Sequence, residues 1–363
     1  VITAASSVYD YVSDQIAALI PRFNLAGWQP DILQVYREIS QDSLGFPLGR
    51  RPSGTSRINH DGTPFQYAVT AGSDLHALQF IGEAGPVGAA SQNISGTERL
   101  QLNRECIQAV AGRLQAGAAL AKISPLLDGL APATNVDLLA DPGGAFWIGV
   151  GFCASQQPSM RIYTNVAWGR EPDRWERLRD FAVAFEMGEA WQEIERQLKP
   201  EMKPLGTAIT LSGQQPPSGR IYLTGYGKRA IYYEALAEQV GGSGSRELVE
   251  WFIHCMLGED YAYPTQTAVS SFGLSNQAGF DFKFELCAHC LFNSDVQAER
   301  RLRLWFEKAS MQADDYFVLL EVLADKALSD RQNELHCYMG VGLKGGHPYS
   351  TIYLKPSLVS AQT

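Results

Sequence analysis

Four short segments carry the residue types that could do chemistry: Arg161-Ile-Tyr163-Thr-Asn165, Arg220-Ile-Tyr222-Leu-Thr224, Lys283-Phe-Glu285-Leu-Cys287 and Tyr349-Ser-Thr351-Ile-Tyr353-Leu-Lys355. They recur at intervals of roughly sixty to seventy residues. Successive side chains of a strand point to opposite faces, so Arg161, Tyr163 and Asn165 share one face while Ile162, Thr164 and Val166 share the other. Arg220 pairs with Tyr222, and Tyr353 with Lys355, in the same way. A repeated face of cations and tyrosines suits strands that converge on one anionic ligand which is also a source of positive carbon. Guanidinium and ammonium groups make short charge-assisted bonds to phosphate oxygens. Aromatic faces stabilise an adjacent cation by roughly 0.5–2 kcal/mol each.

Such a face needs elements to position it. Helical spacing occurs near 6–21, 29–40, 97–122, 172–198, 229–240, 246–257 and 295–327. Strand patterns lie near 64–70, 75–83, 145–153, 160–167, 205–211, 219–225, 267–273, 280–289, 335–343 and 349–355. Gly and Pro clusters such as Gly213-Gln-Gln-Pro-Pro-Ser-Gly219 and Lys344-Gly-Gly-His-Pro348 separate strand pairs as hairpin turns. The order is helix, helix, strand, strand, repeated about five times. Strands joined by short turns are antiparallel, because a parallel neighbour needs a crossover of a dozen or more residues. Five hairpins give about ten strands, and a cation and tyrosine face suits a barrel lumen better than a flat wet surface. The expected fold is therefore α+β: a closed ten-stranded antiparallel β-barrel of five ααββ repeats, ringed by helices, spanning residues 1–363 as one domain.

Composition excludes several classes. A net charge of −9 with no basic stripe argues against a nucleic-acid partner. The apolar run Ala145-Phe-Trp-Ile-Gly-Val-Gly-Phe152 falls far below the roughly twenty residues of a membrane-spanning helix. The first residues lack a basic segment followed by a long apolar one, which reads as a cytoplasmic protein with no membrane partner. Six cysteines in a chain of 363 residues read as reduced thiols. Cys287-Ala-His289-Cys290 could supply zinc ligands. A strand running through it would turn Cys290 away from Cys287 and His289, so packed core cysteines are expected instead.

The run Asn59-His-Asp61-Gly-Thr-Pro64-Phe65-Gln66-Tyr67 resembles the Gly-Thr-Pro-Phe-Glu turn and strand of dimethylallyltryptophan synthase-type aromatic prenyltransferases. Arg161-Ile-Tyr163 and Arg220-Ile-Tyr222 look like that family's cation-x-Tyr strands. The runs from Lys283 to Cys290 and from Tyr353 to Pro356 are similar to its bacterial branch. The resemblance spans about residue 55 to the C-terminus, and its specificity lies in the ordered set rather than in any single motif. It implies an ABBA barrel that transfers an allylic group, dimethylallyl or geranyl, from its diphosphate to an indole-containing acceptor. The prenyl diphosphate is the co-substrate, no metal or other cofactor is required, and the enzyme is a monomer or weak homodimer.

By the same resemblance Arg161, Arg220 and Lys283 hold the diphosphate, Tyr163, Tyr222 and Tyr353 shield the cation, and Tyr338 and Tyr349 are weaker members of the shield. Gln66, Arg161 and Arg220 are the catalytic candidates; Gln79, His76, Glu285 and Asn165 are additional ones. Lys355 is expected to be solvated. Two departures from the family stand out. Gln66 replaces a glutamate that bonds the indole N–H, and an amide carbonyl accepts that bond but takes no proton. The strand around Leu75–Glu83 lacks the family's arginine, leaving Gln79 or His76 to contact the diphosphate. Asp314-Asp315 has no third aspartate and reads as a helix patch rather than a magnesium motif. The alternatives are another diphosphate-using transferase and a non-catalytic carrier of an apolar ligand.

Overall fold

Each strand that alternates apolar and polar residues finds a helix for its apolar side. A computed structural model describes residues 7–49, 56–72, 76–85, 94–131, 145–213, 215–225, 227–258, 268–275, 279–324, 332–344 and 346–358. The strands are β1 (Phe65–Ala71), β2 (Ala77–Gly82), β3 (Phe146–Cys153), β4 (Gln156–Asn165), β5 (Met202–Ser212), β6 (Ser218–Gly225), β7 (Ala268–Ser275), β8 (Gly279–Cys287), β9 (His336–Lys344) and β10 (His347–Leu354). Each pairs antiparallel with its neighbours in sequence. Pairing of β10 with β1, from Tyr67 opposite Leu354 to Ala71 opposite Ser350, closes the ten-stranded barrel. Closure leaves no sheet edge to pair with another chain.

Two helices precede each hairpin: α1 (Val8–Arg22) and α2 (Gln29–Ser40), α3 (Gly96–Arg113) and α4 (Gly117–Leu130), α5 (Glu171–Ala184) and α6 (Gly188–Leu198), and α7 (Ala230–Gly241) and α8 (Ser243–Leu257). After β8 comes a single turn, α9 (Ala288–Leu291), then α10 (Asp295–Lys308) and α11 (Asp314–Leu323). The expected continuous helices 97–122, 172–198 and 295–327 are each a pair; residues 325–327 lie outside the described residues. The breaks fall at Gln115, Glu186 and Ser310, whose φ angles of 57°, 60° and 51° put non-glycine residues in the left-handed region. The backbone there cannot continue a right-handed helix. Asn24 (φ 55°) and Gly242 (φ 81°) make the equivalent break in the other two repeats.

The helix-facing sides of the strands form one core. Phe65, Tyr67 and Val69, Met160 and Ile162, Phe282, Phe284 and Leu286, and Met339 and Val341 pack against helix residues that include Trp175, Trp191 and Trp305. Trp305 donates from Nε1 to Ser350 Oγ (3.0 Å), which donates to the carbonyl of Gly340 (2.8 Å). The barrel is thus bonded to its helical ring as well as packed against it.

One end of the barrel is plugged. Ile58, Ala68, Ile81, Cys337 and Tyr353 make a small apolar floor, against which Trp147, Tyr163 and Tyr338 pack. Lys355, expected in solvent, is instead only 4% exposed, and its Nζ meets Asp61 Oδ2 at 2.9 Å. The strand pattern points it down the lumen, where a buried ammonium requires a partner. Burial opposes ionisation of Asp61, but Lys355 and the backbone N–H of Thr63 outweigh it and hold the carboxyl below its ordinary range. Glu83 accepts from Ser56 Oγ (2.7 Å) and Trp147 Nε1 (3.3 Å) and lies 3.6 Å from Arg99. Burial prevails there and pushes its pKa up to about 7.

Candidate active site

The lumen holds a cavity of about 860 Å³ lined by Gln79, Arg161, Arg220, Tyr222, Lys283 and Tyr349, among others. Gly72, Cys153, Ser212, Ser218 and His347 also line it, so it opens at the hairpin-turn end of the barrel. A narrower extension continues past Arg161 to Tyr163, Ile81, Ala68 and Tyr353.

The three expected diphosphate ligands converge here, in different states. Arg161 donates from Nε to Thr210 Oγ1 (3.1 Å) and from NH1 to the Tyr163 hydroxyl (3.3 Å). It makes no salt bridge among the described residues, and the oxygens of Tyr163 and its neighbours hold its pKa above the usual arginine value. Arg220 donates to Asp281 in a salt bridge and to Ser271 Oγ at 3.1 Å. Burial disfavours its charge, yet Asp281 and nearby tyrosine oxygens prevail and the guanidinium stays protonated. Lys283 donates from Nζ to Glu285 Oε1 (2.7 Å) and to the Tyr353 hydroxyl (3.1 Å). Three cations face two carboxylates, an excess of one positive charge.

The tyrosines line the same space. The rings of Tyr163 and Tyr222 lie 6.2 Å apart, Arg161 sits 5.9 Å from the Tyr163 ring centre, and Lys283 Nζ sits 5.1 Å from that of Tyr353. Burial raises the pKa of Tyr222 and Tyr353 well above the ordinary value, so both remain neutral phenols. Their rings line the lumen without carrying a charge of their own.

Glycines clear room for the cations. Arg220 pairs with Gly273 across β6 and β7, where a Cβ would stand 2.9 Å from Arg220 Nη2. Glu285 pairs with Gly340, where a Cβ would stand 2.6 Å from Glu285 Cγ and 2.8 Å from Lys283 Cε. Glycine inside a strand marks such close approach.

The remaining expected residues divide. Gln79 lines the cavity and Tyr349 lies near its mouth. Tyr338 packs on the floor, with its pKa raised by burial. Gln66 pairs with Ile81 and is buried on the lumen face, one inward position beyond Ala68 and thus about 7 Å deeper along the strand. Its Oε1 is buried and has no hydrogen-bond partner among the described residues. Asn165 lies towards the plugged end, its side-chain oxygen accepting from the backbone N–H of Ala167 (2.9 Å). His76 is not brought to the cavity; it is 61% exposed and bonded to Asp315 at 2.7 Å. Asp281, Thr210 and Ser271 are not among the residues expected from the sequence. The alternation that placed Lys283 and Glu285 on one face also holds Asp281, two residues earlier, and could have found it.

No protein-family model matches the chain, and no curated protein matches it. Solved structures do match its fold. A 6-dimethylallyltryptophan synthase from Micromonospora olivasterospora, in complex with DMASPP and Trp, aligns with a TM-score of 0.80 at 16% identity, covering 98% of this chain and 99% of that one. A 5-dimethylallyl tryptophan synthase from Streptomyces coelicolor, also in complex with DMASPP and Trp, aligns at 0.79 and 17% identity, covering 99% and 98%. AnaPT from Neosartorya fischeri aligns at 0.69 and 14%, covering 97% and 93%. The chain has the ABBA prenyltransferase fold over nearly its whole length.

Proposed function

We propose that the protein transfers an allylic prenyl group, dimethylallyl or geranyl, from its diphosphate to an indole-containing acceptor. The observation that carries this reading is the convergence of Arg161, Arg220 and Lys283 with Tyr163, Tyr222, Tyr349 and Tyr353 in one lumen. Structures of the same fold, bound to DMASPP and Trp, support it. A carrier of a neutral ligand has no use for Arg161, whose bonds among the described residues go only to hydroxyl groups, since burying charge is costly without an anionic partner.

The chemistry follows from the lining. Arg161, Arg220 and Lys283 bind the diphosphate and stabilise negative charge as the allylic C–O bond breaks and its electron pair leaves with oxygen. These side chains supply the charge that Mg²⁺ supplies elsewhere, so the reaction proceeds without a divalent ion. The tyrosine faces shelter the allylic cation and exclude water. An indole carbon then donates a π pair to form the new C–C bond, and the arenium ion loses a proton. Gln66 Oε1 accepts the indole N–H but takes no proton. Glu285, a lumen carboxylate bonded to Lys283, is able to take it. Six free cysteines suit the reducing setting of a cytoplasmic enzyme; the proposed state is a monomer or weak homodimer.

Thermal melts with dimethylallyl diphosphate and with dimethylallyl alcohol test the donor site. A ligand at a hundred times its Kd stabilises by about 2.7 kcal/mol. The diphosphate is expected to raise Tm at concentrations where the alcohol has no effect. Equal stabilisation by both would favour the carrier.

A further inference from the structure

Cys287, His289 and Cys290 stand together at the plugged end, away from the cavity mouth. The expected strand through 280–289 stops at Cys287, and α9 begins at Ala288. That turn of helix undoes the alternation that would have sent Cys290 to the opposite face. The three donor atoms all lie within 4.8 Å of one another. Cys287 Sγ is 2.8 Å from His289 Nδ1, and Cys290 Sγ is 3.4 Å from His289 Nε2.

We propose that Cys287, His289 and Cys290 form a Zn²⁺ site. A tetrahedral ion about 2.3 Å from sulfur and about 2.0 Å from nitrogen sets its ligand atoms about 3.5–3.8 Å apart, so this cluster closes on it once the His289 ring turns a single nitrogen towards both sulfurs. Two thiolates and an imidazole select a borderline or soft ion over Mg²⁺ or Ca²⁺, which require oxygen ligands. The site is therefore chemically distinct from any metal that a diphosphate would bring. Cys287 is 3% exposed while Cys290 is exposed, leaving the fourth position to solvent. Neighbouring groups hold the ligands in place: the His289 ring stacks on His60 at 3.6 Å and 8°, and Tyr338 stands opposite Cys287 in the β8–β9 register. Such outer partners orient metal ligands. A bound ion would tie the end of β8 to α9, beside the floor formed by Ile58, Cys337 and Tyr353.

The test uses the full chain, purified under reducing conditions, freed of metal by dialysis and titrated with Zn²⁺ against a chromogenic chelator. One Zn²⁺ per chain is expected. Co²⁺ in its place should show thiolate-to-metal charge transfer and the visible bands of a tetrahedral ion. Cys287 is buried, so Cys290→Ser and His289→Ala are the informative variants once circular dichroism shows them folded. Each should weaken Zn²⁺ binding by at least the roughly 10–100-fold that loss of an outer-shell partner costs. No saturable binding by the reduced protein, unchanged affinity in both folded variants, or a Cys287–Cys290 disulfide in the freshly isolated protein would overturn the proposal.

Discussion

At the residue scale, two of the three cations that line the cavity are neutralised before any ligand arrives. Arg220 is held by Asp281 and Lys283 by Glu285, whereas Arg161 bonds only hydroxyl groups among the described residues. In the proposed reaction the diphosphate has to draw Arg220 away from a carboxylate but meets Arg161 ready. Arg161→Ala and Arg220→Ala are each expected to lower kcat/KM by about ten- to a thousand-fold, the loss of a charge-assisted bond worth roughly 1.5–3 kcal/mol plus leaving-group stabilisation. Asp281→Asn should tighten donor binding several-fold by freeing Arg220, in contrast to both. Kinetics at limiting prenyl diphosphate that match the unaltered protein in both arginine variants would remove these side chains from the donor site. Gln66 is proposed to serve the other substrate. Gln66→Ala is expected to raise the KM for the acceptor much more than that for the donor, while Gln66→Glu keeps turnover or shifts preference towards free tryptophan. Unaltered acceptor kinetics in the alanine variant would contradict that role. Alternation alone made the lumen faces of β4, β6, β8 and β10 legible in the sequence. It could not show that Asp281 partners Arg220, because that pairing depends on register across three strands.

At the element scale, the helix pairs turn on single residues. All five repeats break their helices with one residue at positive φ, but only the break at Gly242 has a glycine to announce it. The Asn24 break was also legible, from the gap between the two apolar periods. Gln115, Glu186 and Ser310 are ordinary helix or polar residues, and the apolar period runs through them, so the sequence read each of these pairs as one helix. Their left-handed backbone costs roughly 1–2 kcal/mol and is imposed by packing of the flanking helices on the barrel. Glu186→Gly should accordingly stabilise the protein by up to about 1 kcal/mol, the relief being partly offset by a more flexible unfolded chain. Glu186→Val should destabilise it, because a β-branched residue at positive φ is a genuine outlier. Urea unfolding of the two variants measures both; a glycine variant no more stable than the valine variant would show that the backbone is unstrained there. The same limit governed α9, where one turn too short to show a period replaced the expected strand end.

At the scale of the whole molecule, closure of the barrel makes one end a mouth and the other a plug, and the plug carries buried charge. Glu83 has a folded-state pKa of about 7, above the 4.5 of a free glutamate. Between those values the folded protein retains a proton that the unfolded chain has lost, so stability falls as pH rises through this window and levels off above it. The effect is on the order of 3 kcal/mol at most. Glu83→Gln should abolish it, and melting the two proteins side by side between about pH 5 and pH 8 reads the difference. Asp61 acts with the opposite sign, its contribution being lost only as pH falls through its lowered folded-state value. The barrel and its repeat order could be read from the chain because hairpin turns, strand alternation and helix periods all agreed. The plug could not, since its contacts join Ser56, Asp61, Glu83, Trp147 and Lys355 across distant repeats.

In the proposed reaction, lumen cations release a prenyl group onto an indole without a divalent ion. It is tested most directly by incubating the purified protein with dimethylallyl or geranyl diphosphate and a panel of indole acceptors in excess EDTA, and reading products by mass spectrometry. An acceptor carrying one added prenyl unit, formed in EDTA at a rate within several-fold of that with Mg²⁺ and lost in Arg161→Ala, is the expected result. No prenylated product from either donor, or product that EDTA abolishes and Mg²⁺ restores, would contradict it.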